Sequence, residues 1–350
     1  MQHDPLLNPL FATHFPLIQA PMAGAQGSAM TVAVCNAGGL GSLPCAMLNA
    51  DALRRELTAI NAQTDKPYNV NFFCHAPAVF DETREAAWKA SLAPFYREFG
   101  IDPQAIANAP SRAPFDVAFA DVLADFKPPV VSFHFGLPPP DLLARVRGWG
   151  AKVMSSATTV NEALWLEAHG VDVIIAQGLE AGGHRGMFLT DDITTQTGIF
   201  ALLPQVLRAV RVPVVAAGGI ADAQGVAAAL KLGAAAVQIG TAYLLCPEAT
   251  ITPMHRAALK SEAARHTALT NLFTGRPARG IMNRFMREHG PISALAPTFP
   301  LATSAMMPLR KAAEALGSGD FSPLWSGQNA SGCREISAAE MTRLLAAGFD

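Results

Sequence analysis

The chain has 350 residues, with Lys+Arg 26 against Asp+Glu 28 and a formal net charge of −2. Half of it is apolar (50%) and only 15% is charged, against about 25% in ordinary soluble domains. That balance excludes a disordered chain and a phosphate-neutralising nucleic-acid surface, and it favours strands buried on both faces.

No Asp, Glu, Lys or Arg occurs from Pro5 to Ala50. A membrane span there is excluded by Pro16, Pro21, Gly24, Gly27 and Gly38, and by Gln19, Gln26 and Asn36, which would need partners in lipid. Met1-Gln2-His3-Asp4-Pro5 lacks the positive region of a secretory signal, so a soluble, cytoplasmic protein is expected. The five cysteines (Cys35, Cys45, Cys74, Cys246, Cys333) form no C-x-x-C pair. Neither a disulfide framework nor a metal site is indicated, and Cys35, Cys45 and Cys74 read as buried packing.

Short apolar runs ended by Gly, Pro or Asn predict eight strands. In chain order they are Pro16–Met22, Gly39–Leu43, Tyr68–Phe73, Val130–Phe135, Lys152–Ser156, Val171–Gln177, Pro213–Ala217 and Ala235–Gly240. Helical patterns lie between them at Asp51–Ala62, Glu82–Phe99, Asp116–Phe126, Pro140–Trp149, Thr159–His169, Leu203–Arg211 and Ala223–Leu232. Strand alternating with helix builds a parallel sheet. Eight such units predict an α/β fold, a closed (β/α)8 TIM barrel, with an open doubly wound sheet as the alternative. The alternation stops near Cys246. Helical stretches at Pro253–Ala264, Pro277–His289 and Leu309–Leu316, broken by prolines and without a strand, predict an inserted helical lid. The expected division is a barrel of residues 1–245 and 318–350 around a lid of 246–317. Ser337-Ala338-Ala339-Glu340 then opens a last helix, Ser337–Ala347, with a capping box.

In such a barrel, chemistry sits at the carboxyl ends of the strands, and phosphate binds after strands 7 and 8. Strand 7 ends Ala217-Gly218-Gly219-Ile220, and strand 8 ends Gln238-Ile239-Gly240-Thr241. Glycine lets backbone N–H groups approach a phosphate, and Thr241 adds a hydroxyl. A simple chain turn is the bland reading. Gly39-Leu40-Gly41-Ser42-Leu43-Pro44 starts like a dinucleotide fingerprint but has Pro44 where its third Gly belongs, and no Walker motif occurs.

Strand 6 runs into Gln177-Gly178-Leu179-Glu180-Ala181-Gly182-Gly183-His184-Arg185-Gly186. A histidine in a glycine-rich loop at a strand's carboxyl end is a candidate for proton transfer near neutral pH. His134, at the end of strand 4, faces the same mouth. Asn69 and Asn71 share one face of strand 3, and they, like Gln177, would find partners in a heteroaromatic ligand. With no cofactor, the same glycines would suit a phosphate-binding isomerase or lyase.

The runs Gln19-Ala20-Pro21-Met22, Asn71-Phe72-Phe73, Ala176 to Gly186, Ala217 to Ile220 and Gln238 to Thr241 resemble the motifs of the nitronate monooxygenase family. The likeness covers Pro16 to Thr241 and, more loosely, Leu324-Trp325-Ser326-Gly327-Gln328. It implies a barrel holding FMN without a covalent bond under a helical domain. Carried over position by position, Gly218, Gly219, Gln238, Gly240 and Thr241 would hold the phosphate region. Met22, Asn71, Gln177 and Gly182 would contact flavin or ribityl, and His184 would be the catalytic residue. The implied substrates are a small nitronate and O2, with no nucleic-acid or membrane partner, in a monomer or homodimer. Bacterial members carry tyrosines and a lysine where this chain reads Pro297 to Met307. A more apolar pocket is therefore expected here, with Phe299, Thr303 and Met307 lining it beside His134. The same barrel also serves NAD(P)H:quinone and enoyl-thioester reductases, which form the alternative activity.

Overall fold

A computed structural model describes residues 8–106 and 112–349. All eight expected strands form, all but β5 shorter than their apolar runs: β1 Leu17–Gln19, β2 Ser42–Pro44, β3 Asn69–Phe73, β4 Val130–His134, β5 Lys152–Ala157, β6 Val173–Gln177, β7 Val214–Ala217 and β8 Ala236–Ile239. All neighbouring pairs are parallel, and β1 pairs with β8 through Leu17↔Val237. Ile18 bridges Leu40 just before β2, with Gln19 N–H donating to the Leu40 carbonyl at 3.0 Å. The sheet therefore closes into a barrel, and the open-sheet alternative falls.

The apolar runs are continuous because both faces of each strand are covered. Val173 and Ile175 point into the barrel interior with Ile18, Leu40, Met154 and Val215. Ile174 and Ala176 point outward into the layer under the helices. Each buried Ile or Val contributes about 1.5–3 kcal/mol, so a one-residue slip of register would move no residue to water but would break the fit of both layers. A polar ladder fills the rest of the interior. Asn69 Nδ2 donates to Ser42 Oγ (3.0 Å) and Ser132 Oγ (2.9 Å), and Asn71 Nδ2 donates to Ser132 Oγ at 2.9 Å. The two asparagines thus find their partners within the barrel, although Asn69 Oδ1 is left without one.

Several expected helices differ. Ser28–Asn36 is a helix whose apolar residues surround it, so it carries no stripe to read. Glu82–Phe99 divides at Leu92 into Glu82–Ser91 and Ala93–Glu98, because Pro94 opens the second piece. The last barrel helix, Ala338–Ala346, has the capping box at Ser337 and Glu340.

The lid is not wholly helical, and this corrects the expectation. Thr267–Thr270 and Ala278–Ile281 pair antiparallel, and the latter pairs with Gly183–His184 through Ala278↔His184. Arg279 and Gly280 hide the strand signal in a four-residue element, and a partner from the barrel loop supplies its third strand. A second apolar core joins Leu272, Phe273, Phe285, Met306, Leu309 and Phe321 to Trp88, Phe95 and Tyr96. The layer over the barrel therefore also draws on Glu82–Ser91 and Ala93–Glu98, two of the helices between β3 and β4. Among the described residues no helix is long and apolar enough to cross a membrane.

Candidate active site

The carboxyl ends of the strands open into a cavity of about 380 Å³, roofed by the lid and the 322–329 tail. Its wall brings together Met22, Asn71, His134, Gln177, Gly182, His184, Gly218, Gly219, Gln238, Gly240 and Thr241. The volume falls in the range of small-molecule sites, roughly 300–1,000 Å³.

Gln177, the last residue of β6, fastens the loop that follows. Its Nε2 donates to the His184 carbonyl (2.9 Å), and its Oε1 accepts from Gly186 N–H (2.8 Å). Beneath the loop, the fully buried Arg185 donates to the Gln177 and Gly178 carbonyls at 2.7 and 2.8 Å and to Gln196 Oε1 at 2.8 Å. His134 Nε2–H donates to the His184 carbonyl at 3.2 Å, which leaves Nδ1 to accept from the Ser156 hydroxyl at 3.1 Å. Three side chains thus hold one short segment in place.

His184 itself stands in an aromatic box. Its ring centroid lies 5.3 Å from Phe299, 5.6 Å from Trp325, 6.0 Å from Phe73 and 6.1 Å from Phe135. Nε2 lies 2.9 Å from Thr274 Oγ1, whose hydroxyl reaches the Arg276 carbonyl at 3.4 Å. That arrangement assigns the proton to Nε2 and makes Nδ1 the basic nitrogen. Burial, then the charge of Arg112 and its neighbours, holds the His184 imidazole well below its ordinary value. Burial likewise pushes His134 down to about 3 and His75 to about 4. All three rings are neutral at pH 7.

At the opposite end of the cavity, Gly218 and Gly219 have φ of +110° and +76°, a region that favours glycine. A Cβ on Gly182 would stand 2.5 Å from Gly327 N, so the tail packs directly on this backbone. Gly327 N–H donates to Thr241 Oγ1 (2.9 Å), and Asn329 Nδ2 donates to the Gly219 carbonyl (3.1 Å). Gln238 Oε1 is buried against the cavity and has no hydrogen-bond partner. An orphaned acceptor beside a glycine-lined cradle is the mark of a site built for a polar ligand.

Comparison with known proteins decides the family. The nitronate monooxygenase family model matches residues 4–348. The chain belongs to that family. It is 44% identical over 341 residues to a nitronate monooxygenase of Paraburkholderia phytofirmans, covering 97% of this chain and 93% of that protein. A nitronate monooxygenase of Pseudomonas aeruginosa is 43% identical, covering 94% and 95%. A nitroalkane oxidase from Streptomyces ansochromogenes superposes with a TM-score of 0.88 at 39% identity, covering 96% of each chain. The resemblance drawn from the motifs is borne out, and the fold is the nitronate monooxygenase barrel.

Within this nitronate monooxygenase chain the segment 297–307 needs correction. Phe299 is 6% exposed and packs beside His184, but it stands behind the cavity wall and is not part of it. Thr303 Oγ1 donates to the Phe273 carbonyl at 3.1 Å and lies outside the cavity wall. Met307 is 47% exposed and borders a separate surface cleft with Ile101, Ile106 and Ser304. Met307 lies on the helix Ala302–Ala315, whereas Phe299 precedes that helix.

Sequence reasoning missed Arg112, Arg310, Trp325 and Thr274. The first two line the cavity with Trp325, and Thr274 holds the His184 ring. None sits in a glycine-rich motif at a strand end, and each reaches the site only through lid or loop packing. Among the described residues no group of three or more His, Cys, Asp or Glu is placed to hold a metal ion.

Proposed function

We propose that this chain oxidises alkyl nitronates with O2 to carbonyl compounds and nitrite, with FMN held in the cavity. The observation that carries the reading is the juxtaposition of a neutral, dry-boxed His184 with the glycine cradle and the orphaned Gln238 Oε1. The residues present fit a flavin mononucleotide. Gly218, Gly219, Gly240 and Thr241 would take its phosphate, Gln238 Oε1 would accept from an N–H of the ligand, and Met22, Asn71 and Gly182 would border its flat portion. Gln177, in the cavity wall, holds the His184 loop with one Nε2 hydrogen and Oε1, and its second Nε2 hydrogen would remain for the ligand. When bound, the flavin supplies the one-electron and O2 chemistry.

The chain's own residues then have definite tasks. His184 Nδ1, neutral at pH 7, accepts the α-proton when the substrate arrives as a neutral nitroalkane. The Thr274 hydroxyl keeps that nitrogen aimed at the cavity by holding Nε2–H. Phe73, Phe135, Phe299 and Trp325 exclude water and leave room for a small aliphatic carbon chain.

Purified protein is expected to be yellow and to release FMN on denaturation. Oxygen uptake should accompany nitrite release from ethyl nitronate. Anaerobic NADH should leave the flavin absorbance unbleached. Rapid bleaching with quinone turnover and no nitrite would instead establish the reductase alternative, and a colourless protein would return the site to a flavin-free isomerase or lyase.

A further inference from the structure

The cavity holds a cation that neither the barrel motifs nor the proton chemistry uses. Arg112 follows the helical insertion after β3, and its backbone is anchored to that strand's end. His75 Nε2–H donates to the Arg112 carbonyl (3.2 Å), and Phe115 N–H donates to the Phe73 carbonyl (2.8 Å). From there the guanidinium crosses the Phe299 ring, 5.8 Å from its centroid, and joins the cavity wall that contains His184.

Its surroundings offer no counter-charge. The described residues make eight ion pairs, and none includes Arg112. No side chain among them accepts a hydrogen bond from its guanidinium. Arg310, the other cation of the wall, is bonded through Nε to Glu314 Oε1 (2.8 Å), and its charge opposes that of Arg112. Arg276 lies behind Phe135, 4.1 Å above that ring, and donates to the Met187 carbonyl. Arg112 is therefore the wall's unpaired cation among the described residues. A guanidinium taken from water and left unpaired is costly, and its planar fork matches a planar two-oxygen anion.

We propose that Arg112 is the specificity-determining residue that binds the two oxygens of the anionic nitronate, leaving His184 to handle only protons. The assignment rests on the nitronate reading above. It divides labour in the site: the permanent cation selects the ionised substrate, and the neutral imidazole serves the un-ionised one.

The test uses FMN-loaded Arg112→Met and Arg112→Lys, with wild type as reference. Kinetics on ethyl nitronate and on nitroethane are paired with calorimetric titration of nitrate, an unreactive planar anion. Arg112→Met should raise KM for ethyl nitronate roughly 10- to 100-fold, the usual worth of a charge-assisted hydrogen bond, with kcat within about threefold. Nitroethane KM should move less than about twofold, since the neutral form makes little use of the charge. Nitrate affinity should drop in parallel, and Arg112→Lys, which keeps the charge without the planar fork, should restore only part of both losses. Equal losses for both substrates, an unchanged nitrate affinity, or a Lys variant no better than Met would each overturn the assignment. Should wild type turn over no nitronate, the functional reading fails, and the nitrate titration alone still decides whether Arg112 is an anion site.

Discussion

His184 is the residue to which the proposed function gives the proton chemistry, and its environment restricts the role it can take. A ring buried among aromatic side chains and near the charge of Arg112 does not take up a second proton at pH 7, so under the proposed function it would serve as a base and not as a resident cation. His184→Asn should keep FMN bound, because the ring contacts Thr274 and the aromatic box and not the glycine cradle. Loss of acid–base participation typically costs 10²–10⁴-fold. That loss in kcat/KM should appear with nitroethane, and the preformed nitronate should be affected far less. Steady-state assays on both forms of the substrate measure the difference. Equal effects would place the imidazole's role in charge stabilisation, and near wild-type rates on both would make the residue structural.

At the level of elements, the strand ends and the returning tail together make the glycine-lined end of the cavity, where the proposed cofactor phosphate would sit. Gly218 and Gly219 follow β7 in left-handed conformations, and the Asn329 amide on the tail clamps the Gly219 carbonyl. A side chain on Gly219 would meet Glu180 Cβ at 3.4 Å. The backbone strain there is of order 1–2 kcal/mol, which a barrel of this size tolerates. Gly219→Asp adds a carboxylate next to the expected phosphate and beside Glu180, so like-charge repulsion joins the strain. The variant should remain folded by circular dichroism while retaining a small fraction of its flavin, and Gly219→Ala should retain considerably more. Normal FMN content in the Asp variant would remove the phosphate from this turn. The tail was legible only as the loose motif Leu324 to Gln328, because its partners, Thr241 and Glu180, lie 86 and 148 residues away in the chain.

At the scale of the molecule, His75, His134, His184 and His255 are held neutral by burial, and this shapes the response to acid. Burial pushes His75 and His255 down to about 4 and His134 to about 3, with His184 also lowered. Their folded values lie below the ordinary 6.5, so the unfolded chain takes up protons first as pH falls. The stabilisation is complete above about pH 6.5 and drains away toward pH 4. His75 and His255 are 5% and 7% exposed, and each contributes a slope of about 1.4 kcal/mol per pH unit in that window. Urea midpoints should therefore fall steadily from pH 7 to pH 5. His255→Gln, which keeps a donor for the Trp325 carbonyl, should flatten the curve by its share. A midpoint constant over that range would show that these rings titrate in the native state as they do in the unfolded chain.

The barrel could be read from the sequence because its signal is local and repeated. Each strand is a short apolar run bounded by a breaker, and each glycine pair marks a strand end whose backbone has to bend or approach a ligand. The same logic placed His184, Gln238 and the Gly218-Gly219 turn at one cavity, since a parallel barrel puts all of its carboxyl strand ends at one mouth. Tertiary structure alone decided what covers that mouth. Arg279 in Ala278–Ile281 carries no strand pattern, yet the Gly183–His184 edge draws that segment into a sheet. Phe299 and Met307 look equivalent as apolar residues eight apart, but Phe299 precedes the helix starting at Ala302 and packs beside His184, whereas Met307 lies on that helix and is exposed. Arg112 reads in the chain as an ordinary surface arginine. Only the docking of its loop onto β3, through His75 and Phe73, strips away water and counter-charge and leaves a guanidinium facing the cavity. Periodicity encodes which face of an element is buried, whereas the meeting of side chains from β3, β6, the lid and the tail depends on long-range packing that no local pattern records.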